Sequence, residues 1–164
     1  MLVHHHHLGF RLFNYHRIYS VFTRPLTMSK STAPNPLPNH VYKILPNTSI
    51  YQGCPIPVPS SWEFPQTEVD ARDGYVHLST SEQLPGTLSR FYGSDDTVQL
   101  IKVDYKRLSS FKIVKWEQAS SGGVYPHLYA ILEGEYVIGL KVVARGNSWD
   151  DTTKDLREKG WLED

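Results

Sequence analysis

The 164-residue sequence contains one cysteine, Cys54, so an internal disulfide and a multi-cysteine zinc site are both excluded, as suits a reducing compartment. No apolar run approaches the roughly 18 residues that a membrane helix needs, which excludes a spanning segment. Acid is missing from the whole first third: Glu63 is the first acidic residue. G-x-S-x-G, P-loop, G-x-G-x-x-G and H-E-x-x-H patterns are all absent, as is any internal repeat. What remains has ordinary globular composition, 40% hydrophobic and 21% charged, at a length that fits one domain with one core.

The formal net charge of zero hides a division. Residues 1–62 hold Arg11, Arg17, Arg24, Lys30 and Lys43, so the remaining chain has 12 basic groups against all 17 acidic ones. A mildly acidic body without a basic stripe argues against gripping DNA or RNA electrostatically. A nucleotide-sized ligand stays open.

Histidine is skewed too: His4 to His7, His16 and His40 lie in the first forty residues, leaving His77 and His127 in the body. A histidine run without a second ligand set makes an unspecific metal site, and we expect no metal. The Arg-bearing, acid-free start resembles a mitochondrial transit peptide; the alternative is an unselected tail, with Met28 as the start. Ser29 to Asn39 reads as a linker. These signals predict a disordered or targeting segment over 1–39, a domain over 40–146 and an exposed C-terminal helix over 147–164. The expected location is cytoplasmic, or mitochondrial if 1–27 is a transit peptide.

Strands are predicted at Val41–Leu45, Tyr75–Ser79, Thr97–Asp104, Phe111–Trp116, Tyr125–Tyr129 and Tyr136–Ala144. Prolines make 46–70 irregular, with at most a turn near Trp62. If Val76 and Leu78 face the core, Tyr75, His77 and Ser79 share the other face. Thr80 to Gln83 matches a capping box before the helical spacing of Leu84, Leu88 and Phe91. Strands with one central helix and short connections indicate an α+β domain on mixed or antiparallel sheets.

His77 sits between Asp73-Gly74 and Ser79-Thr80, where a strand end meets a helix start and can offer N–H groups, hydroxyls and a titratable ring to an anion. The plainer reading is a capping threonine and a histidine bonded to a loop. His127 likewise reads as a functional group or as a satisfied ring in a strand. Trp116-Glu117 offers a stacking surface and a carboxylate, or a buried tryptophan beside a solvated acid. Tyr42, Tyr75, Tyr125 and Tyr129 suit a core or a ligand cleft equally. Cys54, bracketed by Gly53 and Pro55, has no base beside it.

The blocks Tyr42-Lys43-Ile44, Asp70 to Thr80, Leu100 to Asp104, Lys115-Trp116-Glu117 and Tyr125 to Tyr129 resemble the domain of unknown function 952 family over about residues 41–145. The proline-rich 46–70 stretch looks like its fungal members. That family is similar in fold to the ADP-ribosyltransferase superfamily, which binds NAD in a cleft between two antiparallel sheets. The resemblance implies a site made of Tyr42, Lys43, His77, Ser79, Thr80, Trp116 and Tyr129 around NAD or a related nucleotide, with His77, His127 and Glu117 as catalytic candidates. Lys43 falls at the first-strand ligand position, Tyr75 to Thr80 at the second, and His127 where a glutamate would polarise the ribose. His127 removes that negative charge, so Glu117 inside the cleft would favour an enzyme; pointing to solvent, it would favour a non-catalytic binding module. ADP-ribosyl or RNA 2′-phosphate transfer and NAD hydrolysis are the implied reactions.

Overall fold

The computed structural model describes residues 33–164. Of the N-terminal segment expected to be disordered or targeting, 1–32 with its histidine run lies outside the described residues; within 33–39, Asn39 is tied to the body by its carbonyl, which accepts from the Tyr105 N–H at 2.9 Å. Among the described residues, β1 (His40–Pro46), α1 (Glu68–Asp73), β2 (Val76–His77), α2 (Leu84–Phe91), β3 (Thr97–Asp104), α3 (Tyr105–Phe111), β4 (Val114–Gln118), β5 (Val124–Leu128), β6 (Val137–Ala144) and α4 (Trp149–Glu158) follow in order. They form two antiparallel three-stranded sheets, ordered β1-β3-β6 and β2-β5-β4. The α+β class and antiparallel pairing agree with the sequence.

In the first sheet β1 and the central strand β3 are buried on both faces, whereas the edge strand β6 is largely exposed. Val41, Leu45, Ile101 and Val103 meet Val76, Leu78 and Leu128 of the second sheet, with Leu108 and Tyr136 closing the layer. Tyr42, Ile44, Val98 and Leu100 project the other way onto Leu84 and Leu88 of α2 and Trp149 and Leu156 of α4. The molecule is thus layered sheet, sheet, helices. The space between the sheets is filled with side chains, so the expected ligand cleft there gives way to a core.

Three elements differ from expectation. α1 grows out of the predicted irregular stretch because Thr67 and Asp70 form a reciprocal capping box, with Gly74 taking the left-handed conformation (φ 80°) that ends it. α3 is capped by Asp104, whose side chain accepts from the Arg107 N–H at 2.9 Å; it takes in Phe111 and delays β4 to Val114. α4 is no exposed appendage: Trp149, Thr153 and Leu156 are buried against the first sheet, so 147–164 belongs to the same body. The Thr80–Gln83 box forms as predicted, through reciprocal bonds of 3.0 and 3.2 Å, but closes the turn just before α2.

Two ties hold the layers in place. Tyr42 and Ser79 exchange backbone bonds of 2.8 and 2.9 Å, stitching β1 to the chain leaving β2. The segment after α4 then folds back, with the Tyr42 hydroxyl donating to the Glu163 carbonyl at 2.6 Å and Lys102 pairing with the Glu163 carboxylate. At the far end, Gly134 passes so close to the Pro59 carbonyl that a Cβ would lie 1.9 Å from its oxygen; only glycine fits.

Candidate functional site

The pleat of the second sheet sorts its residues. Val76, Leu78, Leu128 and Trp116 turn to the core, and the alternate residues turn outward. Register sets His77 directly opposite His127, and His127 opposite Lys115 on its other side. The two imidazole centroids are 5.4 Å apart. Tyr75 lies flat on His127 (4.1 Å between centroids, 15° between planes) and tilts against His77 and Tyr129 at 4.7 and 5.3 Å.

Each histidine has its own carboxylate. His127 Nδ1 is 2.8 Å from Glu117 Oε2, which also accepts the Tyr129 hydroxyl at 2.8 Å. Burial lowers the His127 pKa, with Glu117 pulling it partly back, so the ring is neutral near pH 7. With Nδ1–H given to Glu117, Nε2 is left as a lone-pair acceptor that bonds to no protein group among the described residues. Burial acts to raise the Glu117 pKa, but the bonds from His127 and Tyr129 hold it below the usual range. The Tyr129 phenol, donating to that carboxylate, is pushed up to about 12.

His77 Nδ1 and its backbone N–H both reach Asp70 Oδ1, at 2.8 and 2.9 Å. Asp70 Oδ2 takes the Lys43 ammonium at 2.6 Å and the Thr67 N–H at 3.0 Å, so this buried carboxylate accepts four bonds. Burial alone would raise its pKa; the His77 and Lys43 contacts drive it far below the carboxylate range. Lys43 itself is lowered by burial, against the pull of Asp70. On its outer side, His77 Nε2 lies 3.2 Å from Asp73 Oδ2.

Of the residues picked from sequence, the structure brings His77, His127, Glu117 and Tyr129 together. Lys43 reaches the group only through Asp70. Trp116 is corrected: strand alternation turns it away from Glu117, its ring meets Tyr105 edge-on, and its indole N–H donates to the Tyr105 hydroxyl at 2.9 Å. Tyr42 is also corrected, since it faces α2 and α4 with its hydroxyl spent on Glu163. Ser79 is buried with its Oγ 3.5 Å from Thr87 Oγ1, and Thr80 spends its polar groups on Gln83. Sequence reading missed Asp70 and Asp73 as partners of His77, and Lys115, whose ammonium lies 4.4 Å above the Tyr129 ring. Thr67-x-x-Asp70 was the available signal for Asp70. Cys54 lies apart, half-buried against the core.

An antiparallel two-sheet α+β domain with two carboxylate-bonded histidines on one open face is the class defined here. The sequence model of the family described as "Protein of unknown function (DUF952)" matches residues 59–140, and the chain belongs to that family. It is similar to the crystal structure of protein CC0527 from Caulobacter crescentus, with 25% identity and a TM-score of 0.54 over 70% of this chain and 98% of that one. The solution NMR structure of the same bacterial protein gives 26% and 0.53, over 74% and 96%. No curated protein matches the chain. Among the described residues, no helix is long and apolar enough to cross a membrane.

Proposed function

We propose that this chain, a fungal-type member of its family by its proline-rich 46–70 stretch, has an ADP-ribosyltransferase-like activity on NAD or a related nucleotide, bound on the outer face of the second sheet. The observation that carries the reading is the Glu117–His127 contact. A carboxylate fixes the tautomer of a neutral imidazole and leaves Nε2 free to take a proton, the arrangement of an oriented general base. It also returns a negative charge to the place where His127 stands for the glutamate that the resemblance implies.

The chemistry balances without further groups. Water or an acceptor hydroxyl forms a bond to the anomeric ribose carbon, the bond to nicotinamide breaks with its electron pair leaving on the ring nitrogen, and the nucleophile's proton passes to His127 Nε2. Glu117 then faces an imidazolium and stabilises it, and the cationic character of the ribose is met by Glu117 and Asp73. Tyr75 and Tyr129 supply flat surfaces for a heterocycle. Lys115 is the cation on this face for the diphosphate; Lys43 is committed to Asp70.

That commitment, with Ser79 also buried, favours a second reading: a nucleotide-binding module without turnover. One experiment covers both, namely melting shifts of the full chain with NAD and with ADP-ribose, alongside nicotinamide release. Stabilisation by NAD with nicotinamide release, both lost in His127→Ala, is expected of the enzyme. Stabilisation without release selects the binding module. No shift with either compound overturns the nucleotide site.

A further inference from the structure

β4 is an edge strand of the second sheet. Tyr129 N donates to the Ile113 carbonyl at 2.9 Å and Ala119 N to the Gly123 carbonyl at 3.0 Å, so the odd-numbered residues of this stretch direct their backbone bonds inward to β5. The N–H and C=O groups of Val114, Trp116 and Gln118 therefore point outward, and among the described residues no strand takes them. Edges of this kind recruit further strands unless blocked by proline, a bulge, cover or charged side chains; the two charges of β4, Lys115 and Glu117, are opposite in sign and so repel only a partner strand that does not match them. β4 has no proline, and its register with β5 runs without a shift.

We propose that β4 is a dimerisation strand, pairing antiparallel with β4 of a second copy about a twofold axis through Trp116. The occupant follows from the pattern of the strand itself. A twofold centred on Trp116 matches the outward-pointing groups of Trp116 with their own copy and those of Val114 with Gln118 of the second molecule. The residues between then fall into the close, non-hydrogen-bonded positions of the new ladder. On the histidine face these are Ile113 against Ala119, Lys115 against Glu117, and the same two pairs reversed. Both charge pairs are opposite in sign, and both outer pairs are apolar; Ile113 is 63% exposed in the single chain. A one-residue slip in either direction would break this match and misdirect the backbone groups as well.

The pairing also reaches the histidines. Lys115 of the second copy would arrive beside Glu117, which holds His127 Nδ1, so each copy adds a cation to the other's site. The interface does not depend on NAD chemistry and stands whether or not the nucleotide reading survives.

The test is the mass of the full chain by light scattering after size exclusion, across a concentration series. The wild type should move toward twice the chain mass as concentration rises. Lys115→Glu sets like charges opposite each other twice, and should weaken the dimer by about tenfold or more. Lys115→Glu combined with Glu117→Lys exchanges the two signs and should restore it. Gln118→Pro removes an outward N–H while sparing every bond to β5, and should give a folded monomer; it decides the matter if the double variant fails to fold. A wild type that stays monomeric throughout overturns the proposal and leaves the edge to a foreign strand. A Lys115→Glu dimer as tight as the parent overturns the proposed register.

Discussion

The two histidines invert one another. At Asp70–His77 the carboxylate is 0% exposed and the ring 34%; at Glu117–His127 the ring is 6% exposed and the carboxylate 37%. Both pairs join the same two functional groups at the same 2.8 Å separation, yet the buried member differs. The buried member is the one the fold depends on. Asp70 ends four hydrogen bonds from three segments and cannot leave without stranding Lys43. Glu117 sits at an edge where water can replace it, and what it fixes is the orientation of a ring. The first pair therefore builds the face, and the second is the pair to which the proposed chemistry is assigned.

The sharpest way to break this contrast is Asp70→Asn. It leaves the Lys43 ammonium buried without its counter-charge, and a loss of about 3–5 kcal/mol is expected in urea unfolding. The same contact sets the acid limit of the fold. Because the folded pKa of Asp70 lies below its ordinary 3.8, its contribution is full above that value and is lost as pH falls through and below it. Unfolding monitored by circular dichroism from pH 5 downward checks this, and Asp70→Asn should flatten the profile.

His127→Ala should keep the fold and cost about 10²–10⁴ in nicotinamide release, the usual contribution of a general base. The parent's rate should fall on the acid side as His127 becomes protonated. Burial lowers its pKa, so that limb lies below the free imidazole's 6.5. Folding stability runs the same way: the unfolded chain takes up this proton first, so stability drops as pH falls beneath 6.5.

Glu117→Gln sharpens the comparison more finely. It should change stability by about 0.5 kcal/mol or less, as a half-exposed pair does, while lowering turnover through loss of the fixed tautomer. Nitrogen chemical shifts of His127 should report a mixed tautomer in the variant and a single one in the parent. Smallest of all is Cys54→Ser, for which melting point and ligand shift are both expected to stay within about 0.5 kcal/mol of the parent.

Local patterns made much of this readable. The alternation placed Val76 and Leu78 in the core and Tyr75 and His77 on the other face, because a strand's period is two wherever one face is buried, but Ser79, expected beside His77, is buried next to Thr87 of α2, past the two-residue strand. The helix α2 was legible in the spacing of Leu84 and Leu88, both buried, and in the Thr80–Gln83 turn that leads into it. Trp116 was misplaced although the same alternation speaks against it, since neighbours in a strand cannot share a face. α1 and α3, at six and seven residues, are too short to show a period and owe their existence to capping and packing. Least accessible was the Lys43–Asp70 pair: its partners are 27 residues apart, and no local rule joins a strand lysine to a distant cap.

The strap that brings Glu163 back to Tyr42 bears on how the molecule is made. The two residues are 121 apart in sequence, and Tyr42 lies in the first strand. A nascent chain can assemble β1 with β3 well before that, but the tyrosine hydroxyl waits for Glu163, and the buried Lys102 ammonium for the Trp161 carbonyl and the Glu163 carboxylate. Translation that pauses or stops after α4 leaves these two groups facing apolar side chains, with Trp161 and Leu162 undocked from the second core.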